Sequence, residues 1–260
     1  MRGAVLVLFC LLGHCLQPVQ AQEAEPRAES ELGLKESLNL TGYNEIYYAY
    51  GNPSAKVQFS FKYQMIEKLP LYFGYTQLMF WLQQQDSQPF KDVNYSPDAF
   101  YRIQAKAGIL ESVDLAPYSH TSNGRDGADS RSINRAYARF NLETPSANQE
   151  IKMVVTLYSY YGLNEDNSDI HDFISPLDLR FTFTQFVPWI FDRGQLSVRV
   201  FPGGRMAENW GSGGQEVGLS FRVGGFGLQP SIYIQYYGGY AESLLSYRRR
   251  ESIARIGIVL

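Results

Sequence analysis

From Leu40 onward, apolar and polar residues exchange places at every second position, in segments of about ten residues bounded by turn formers. In the clearest segment Val57, Phe59, Phe61, Tyr63 and Met65 share one face of an extended chain, and Gln58, Ser60, Lys62 and Gln64 share the other. Leu177, Leu179, Phe181 and Phe183 alternate in the same way with Asp178, Arg180, Thr182 and Thr184. The pattern returns over 195–200 and 216–223. It predicts an all-β chain of twelve strands, near 40–50, 56–66, 71–83, 98–107, 110–119, 133–143, 150–160, 174–186, 194–202, 215–223, 228–238 and 252–260.

The charged face decides what kind of sheet this is. Charges such as Asp178 and Arg180 would be costly in the core of a soluble sandwich, but they suit a polar lumen whose outer wall meets lipid. The expected fold is a twelve-stranded antiparallel transmembrane β-barrel. Short connections such as Lys68-Leu69-Pro70 and Thr144-Pro145-Ser146 alternate with long polar ones, as periplasmic turns alternate with outer loops. An even strand count returns both ends of the barrel to the same side. Twelve strands also leave an interior that Arg, Tyr and Gln side chains can largely fill.

Composition adds to this picture. Aromatic residues make up 15% of the chain, with 19 Tyr and 16 Phe spread through the strands. The basic start, the apolar run over 4–16 and the small Ala21 predict a signal peptide over 1–21, followed by a polar arm over 22–38 and the barrel over 39–260. Both cysteines, Cys10 and Cys15, fall in the leader, so the mature chain has no disulfide or thiol chemistry. With a net charge of −3 and no basic face, no nucleic-acid partner is expected.

Candidate chemistry concentrates between Tyr118 and Arg135. His120 and Ser122 stand two residues apart, so on a strand they project from one face with backbones about 7 Å apart. Asn134, on the hairpin partner, shares parity with Ala136, Ala138, Phe140 and Leu142, which places it on the lipid side. A hydroxyl, an imidazole and an amide acceptor are the parts of a serine esterase: nucleophile, base and orienter. Gly124 leaves room for backbone N–H groups to approach an oxyanion, and Asp126, Asp129 and Ser130 supply oxygens for a hard cation such as calcium. Polar groups on the outer wall make sense when the bilayer itself is the substrate.

At these residues the chain resembles the outer-membrane phospholipase A family of Gram-negative bacteria. The motifs are His120-Thr121-Ser122-Asn123-Gly124-Arg125, Ser130-Arg131-Ser132-Ile133-Asn134-Arg135 and the run from Ser87 to Pro97, with weaker similarity at Tyr75-Thr76-Gln77 and Gly238 to Leu244. The resemblance implies an outer-membrane barrel, its site toward the cell surface, that hydrolyses acyl esters of phospholipids and lysophospholipids (phospholipase A1 and A2 activity). It implies His120 as base, Ser122 as nucleophile, Asn134 as orienter, and activation by calcium-dependent homodimerisation. By position it puts calcium ligands on the Arg125 carbonyl, the Ser130 hydroxyl and the Ser87 carbonyl of a second subunit, and a dimer-interface glutamine on Gln77. Lys91-Asp92, the shorter first outer loop and the terminal Leu260 depart from the family pattern.

Other features carry plainer expectations. His171, near Asp169 and Asp172, reads as a solvated loop residue, Gly211-Ser212-Gly213-Gly214 as a flexible outer loop, and Arg248-Arg249-Arg250 as a solvated loop able to attract anionic headgroups. The competing functional class is a non-enzymatic barrel, either a small pore or a structural protein of the outer membrane.

Overall fold

The computed structural model describes residues 40–144, 150–163, 165–190, 192–222 and 230–260. The expected leader and arm, and the Pro145-Ser146 turn, lie outside these residues. A short pair, β1 (Leu40–Thr41), is followed by β2 (Tyr47–Gly51), β3 (Ala55–Ile66), β4 (Leu69–Trp81), β5 (Phe90–Ala107), β6 (Leu110–Ser122), β7 (Ser132–Thr144), β8 (Ile151–Tyr161), β9 (Leu177–Thr184), β10 (Asp192–Gly203), β11 (Asn209–Arg222), β12 (Ser231–Gly239) and β13 (Glu251–Val259). Each of β2 to β13 pairs antiparallel with its chain neighbours, and β13 pairs back onto β2, closing a twelve-stranded ring. Among the described residues no helix is long and apolar enough to cross a membrane.

The expected alternation sets the wall. On β3 the apolar Phe59 is 47% exposed while its neighbour Ser60 is fully buried, and on β13 Ile256 is 57% exposed beside Arg255 at 2%. Apolar side chains therefore face outward and polar ones inward, the inverse of a soluble core. Several of the buried charges are paired. Lys56 Nζ lies 2.5 Å from Glu216 and 3.5 Å from Glu242, and Glu242 accepts from Arg255 at 2.5 Å. Arg102 forks onto the fully buried Asp114 at 2.7 and 2.8 Å, and Arg199 binds Asp178. Removing one partner of such a buried pair costs about 3–5 kcal/mol.

The first strand differs from the expectation. Its pairing breaks after Thr41, and Tyr43 and Asn44 turn into the lumen, where Tyr43 donates to Asp98 and Asn44 donates to Thr76. Strand β5 begins at Phe90, eight residues earlier than the alternation predicted, because Asp92, Asn94 and Asp98 point inward and mask the apolar period.

The rim carrying the longer loops is closed from within. Leu244 and Tyr247, between β12 and β13, pack with Ile133 and Ile170 in a second apolar cluster. Asn94 and Asp92 accept from the backbone N–H groups of Leu244 and Leu245. Arg248 forks onto Asp169 at 2.8 Å, and Tyr247 donates to the same carboxylate. Two expectations change here. His171 is largely covered and its Nε2 accepts from Arg205 at 2.6 Å, so it ties two loops together instead of being solvated. Gly211 to Gly214 belong to β11 and not to a loop; a Cβ on Gly213 would stand 1.9 Å from the Phe201 carbonyl, an approach only glycine permits.

Candidate active site

The site is built on a register shift. Along β6, Ser112, Asp114 and Ala116 point inward, and a regular strand would continue with Tyr118, His120 and Ser122 on that inward face. Instead, Ala116 pairs with Tyr137 and Ser119 with Arg135: β6 spends three residues where β7 spends two. Strand β5 shows the same mismatch, with Leu115 opposite Tyr101 and Tyr118 opposite Ala99. The extra residue is a β-bulge at Pro117-Tyr118, and proline fits because a bulged residue need not donate to the ladder. Beyond it Ser119 and Thr121 are buried toward the lumen, and His120 and Ser122 turn to the outer wall.

Asn134 stands directly opposite His120, and its Oδ1 lies 2.8 Å from His120 Nδ1. The amide's other end is fixed, since Nδ2 donates to the Gly162 carbonyl at 3.0 Å. With Nδ2 committed to a carbonyl, Oδ1 can only accept, so the imidazole carries its proton on Nδ1 and leaves a lone pair on Nε2. That lone pair is what a neighbouring hydroxyl needs as base. Ser122 shares the face, paired with Tyr95 on β5 and Ser132 on β7. Among the described residues no hydrogen bond joins Ser122 to His120; such contacts commonly tighten only with substrate bound. Tyr118 stacks parallel to the imidazole at 6.4 Å. Tyr95, Tyr118 and Tyr161 are all partly exposed around the group, as aromatic residues are at a membrane–water boundary.

After Ser122 the chain turns through an exposed loop. Gly124 has φ +64°, and a Cβ there would meet the Tyr95 ring at 3.1 Å, so both conformation and space favour glycine. Buried Asn123 holds the loop: its Oδ1 accepts from Arg131 N at 3.0 Å and Arg125 N at 3.4 Å, and its Nδ2 donates to Asp129 O at 2.9 Å. Arg125 donates to the Lys91 carbonyl at 2.6 Å and lies 3.6 Å from Asp129, whose side chain is mostly exposed. Ser87 sits in the exposed turn between β4 and β5. Among the described residues no three His, Cys, Asp or Glu side chains gather at one point. The ligands that the family resemblance implies are instead the Arg125 carbonyl, the Ser130 hydroxyl and the Ser87 carbonyl of a second subunit. That set is all oxygen, which suits a hard ion. Gln77 is on the outer face of β4, where its Oε1 accepts from Tyr75 at 2.9 Å.

The family model for phospholipase A1 matches residues 27–260. The chain belongs to the phospholipase A1 family. Phospholipase A1 of Salmonella typhimurium is 31% identical over 219 residues, a match covering 76% of this chain and 68% of the relative. Among solved structures, the Salmonella typhi outer membrane phospholipase dimer with bound calcium aligns with a TM-score of 0.72 at 26% identity, over 87% of this chain and 94% of the other. An Escherichia coli outer membrane phospholipase A carrying an asparagine-to-alanine active-site mutation aligns with a TM-score of 0.70 at 26% identity, over 86% and 92%.

As a member of the phospholipase A1 family this barrel is an outer-membrane enzyme, and the passive-pore alternative falls away. Its long loops face outward. The structure brings His120, Ser122 and Asn134 to one patch of outer wall, with Gly124 at its edge; Gln77 stands on the same rung as Ser122 two strands away, opposite Tyr95, and Ser87 is in the β4–β5 turn. Sequence reasoning missed Gly162 and Tyr95, whose contacts cross between elements.

Proposed function

We propose that this phospholipase is a calcium-dependent serine esterase that cleaves acyl ester bonds at either glycerol position and in lysophospholipids. One observation carries the reading: His120 Nδ1 against Asn134 Oδ1 at 2.8 Å, with Ser122 on the same lipid-facing wall. Ser122 Oγ attacks the ester carbonyl of a lipid that arrives sideways from the outer leaflet. His120 Nε2 takes the hydroxyl proton as the bond forms and returns it to the leaving alcohol, and water then releases the fatty acid from Ser122 by the same relay. Asn134 holds the imidazole in the tautomer this requires. The amide at Gly124 donates to the oxyanion. A hard cation held by the Arg125 carbonyl, the Ser130 hydroxyl and the Ser87 carbonyl of a second copy would add positive charge beside that oxyanion. The active form is thus a homodimer, with Gln77 meeting its counterpart in the membrane, where an amide gains most from a partner.

The test is fatty-acid release from phospholipid in calcium-containing detergent micelles. Ser122→Ala should lower the rate by about 10⁴-fold or more. Equal release by the variant would end the esterase reading.

A further inference from the structure

We propose that Asn167 is a positioning residue for this site: its side chain substitutes for a missing strand and fixes the outer end of β7, the segment that faces Ser122 and carries Asn134. The β7–β8 ladder makes its last backbone pair at Asn134 and Tyr161. Two residues further out, Ser132 has no backbone partner on that side among the described residues. Asn167, from the turn Glu165–Asn167, fills the gap: its Oδ1 accepts from Ser132 N at 3.2 Å and its Nδ2 donates to Ser132 O at 2.9 Å. An amide side chain presents an acceptor and a donor in the arrangement of a backbone peptide, so this reciprocal pair continues the ladder by one rung.

Its location gives this rung consequence. Asn167 is fully buried, so its two hydrogen bonds do not compete with water. Ser132 is opposite Ser122 in the register, and the next outward-facing residue on β7 is Asn134. The same β8–β9 connection supplies the Gly162 carbonyl that orients the Asn134 amide. A single connection thus sets both the backbone across from Ser122 and the side chain behind His120. Asn167 touches no reacting atom; it acts through Ser132. Without the rung, the backbone of β7 beyond Asn134 keeps hydrogen bonds on the β6 side, through the Thr121–Ile133 pairing, the hairpin bond Asn123 N to Arg131 O at 3.1 Å and the Asn123 side chain, while the Ile133 side chain keeps its packing against Leu244 and Tyr247. A loss of registry of about 1 Å between nucleophile and base is enough to cost about 10²-fold in rate.

This inference rests on Ser122 being the nucleophile, and the experiment separates the two. The full-length protein is treated with a long-chain alkylsulfonyl fluoride, and modification of Ser122 is timed by mass spectrometry beside lipid hydrolysis. Wild type should be labelled and Ser122→Ala should not; failure of that control would sink the esterase reading and this inference with it. Asn167→Ala should be labelled at least about tenfold more slowly, with kcat reduced to match, KM unchanged and the heat-modifiable barrel intact. Labelling at the wild-type rate would overturn the positioning role while leaving the esterase standing. Should Asn167→Ala fail to fold, Asn167→Asp decides. An ionised carboxylate cannot donate to Ser132 O but a protonated one can, and burial of a carboxyl at this position raises its pKa, so its labelling rate relative to wild type should recover as the pH is lowered from about 8 to about 4. A ratio that does not change with pH would refute the rung.

Discussion

At the scale of single residues, the site depends on an amide whose two ends have different tasks. Asn134 Nδ2 donates to Gly162 O, and this leaves Oδ1 facing His120 Nδ1. A neutral amide fixes the tautomer but offers less stabilisation to a forming imidazolium than a carboxylate would. Asn134→Ala should therefore retain measurable fatty-acid release, roughly 10- to 100-fold below wild type and well above Ser122→Ala. A loss as complete as that of Ser122→Ala would mean that the amide does more than orient. The outward parity of Asn134 was legible in the sequence, because Ala136, Ala138, Phe140 and Leu142 set the apolar face of its strand. The commitment of its Nδ2 was not, since Gly162 lies 28 residues away on another connection.

At the scale of elements, the decisive feature is the extra residue in β6. Its parity could not be read, because Asp114 and Pro117 interrupt the alternation and a bulge is defined only by what stands opposite it. Deleting Pro117 removes the extra residue but leaves Ser119 opposite Arg135 and facing the lumen, so His120 and Ser122 should stay on the outer wall and hydrolysis should persist within about tenfold of wild type, with heat-modifiable mobility unchanged. Loss of hydrolysis from an intact barrel would show that the parity of Ser119 to Ser122 is not what the extra residue sets. The outer latch makes a different prediction. The Arg248 guanidinium, with Tyr247, holds the Asp169 carboxyl down at about 2, below its ordinary value near 3.8. A depressed carboxyl stabilises the folded loop above the ordinary value and loses that contribution as it protonates. Protection of the Arg248 to Arg250 backbone amides from hydrogen exchange, measured at each pH relative to the intrinsic rate, should thus be constant above about pH 4 and fall between about pH 4 and 2. Equal exchange at pH 5 and pH 2 would count against the latch.

At the scale of the whole molecule, the barrel and the proposed metal chemistry are separable. The wall is held by ladder hydrogen bonds and the lumen by pairs such as Lys56 with Glu216 and Arg255 with Glu242, none of which involves the Arg125 to Ser130 loop. Excess chelator should accordingly abolish hydrolysis and cross-linked dimer while leaving β-sheet signal and heat-modifiable mobility unchanged. Gln77→Ala should reduce the dimer severalfold in calcium. Full activity in excess chelator would remove calcium from the mechanism.

The sequence by itself determined an inside-out barrel: period-two alternation with charges on one face and aromatic residues on the other leaves few arrangements besides a closed sheet with a polar lumen in a membrane. It also supplied the side chains suited to ester chemistry and their near spacing. Only the tertiary structure decided which wall His120 and Ser122 occupy. A bulge gains its meaning from the neighbouring strands, and hydrogen bonds such as Gly162 to Asn134 or Asn167 to Ser132 exist only after distant loops have been brought to the same rim.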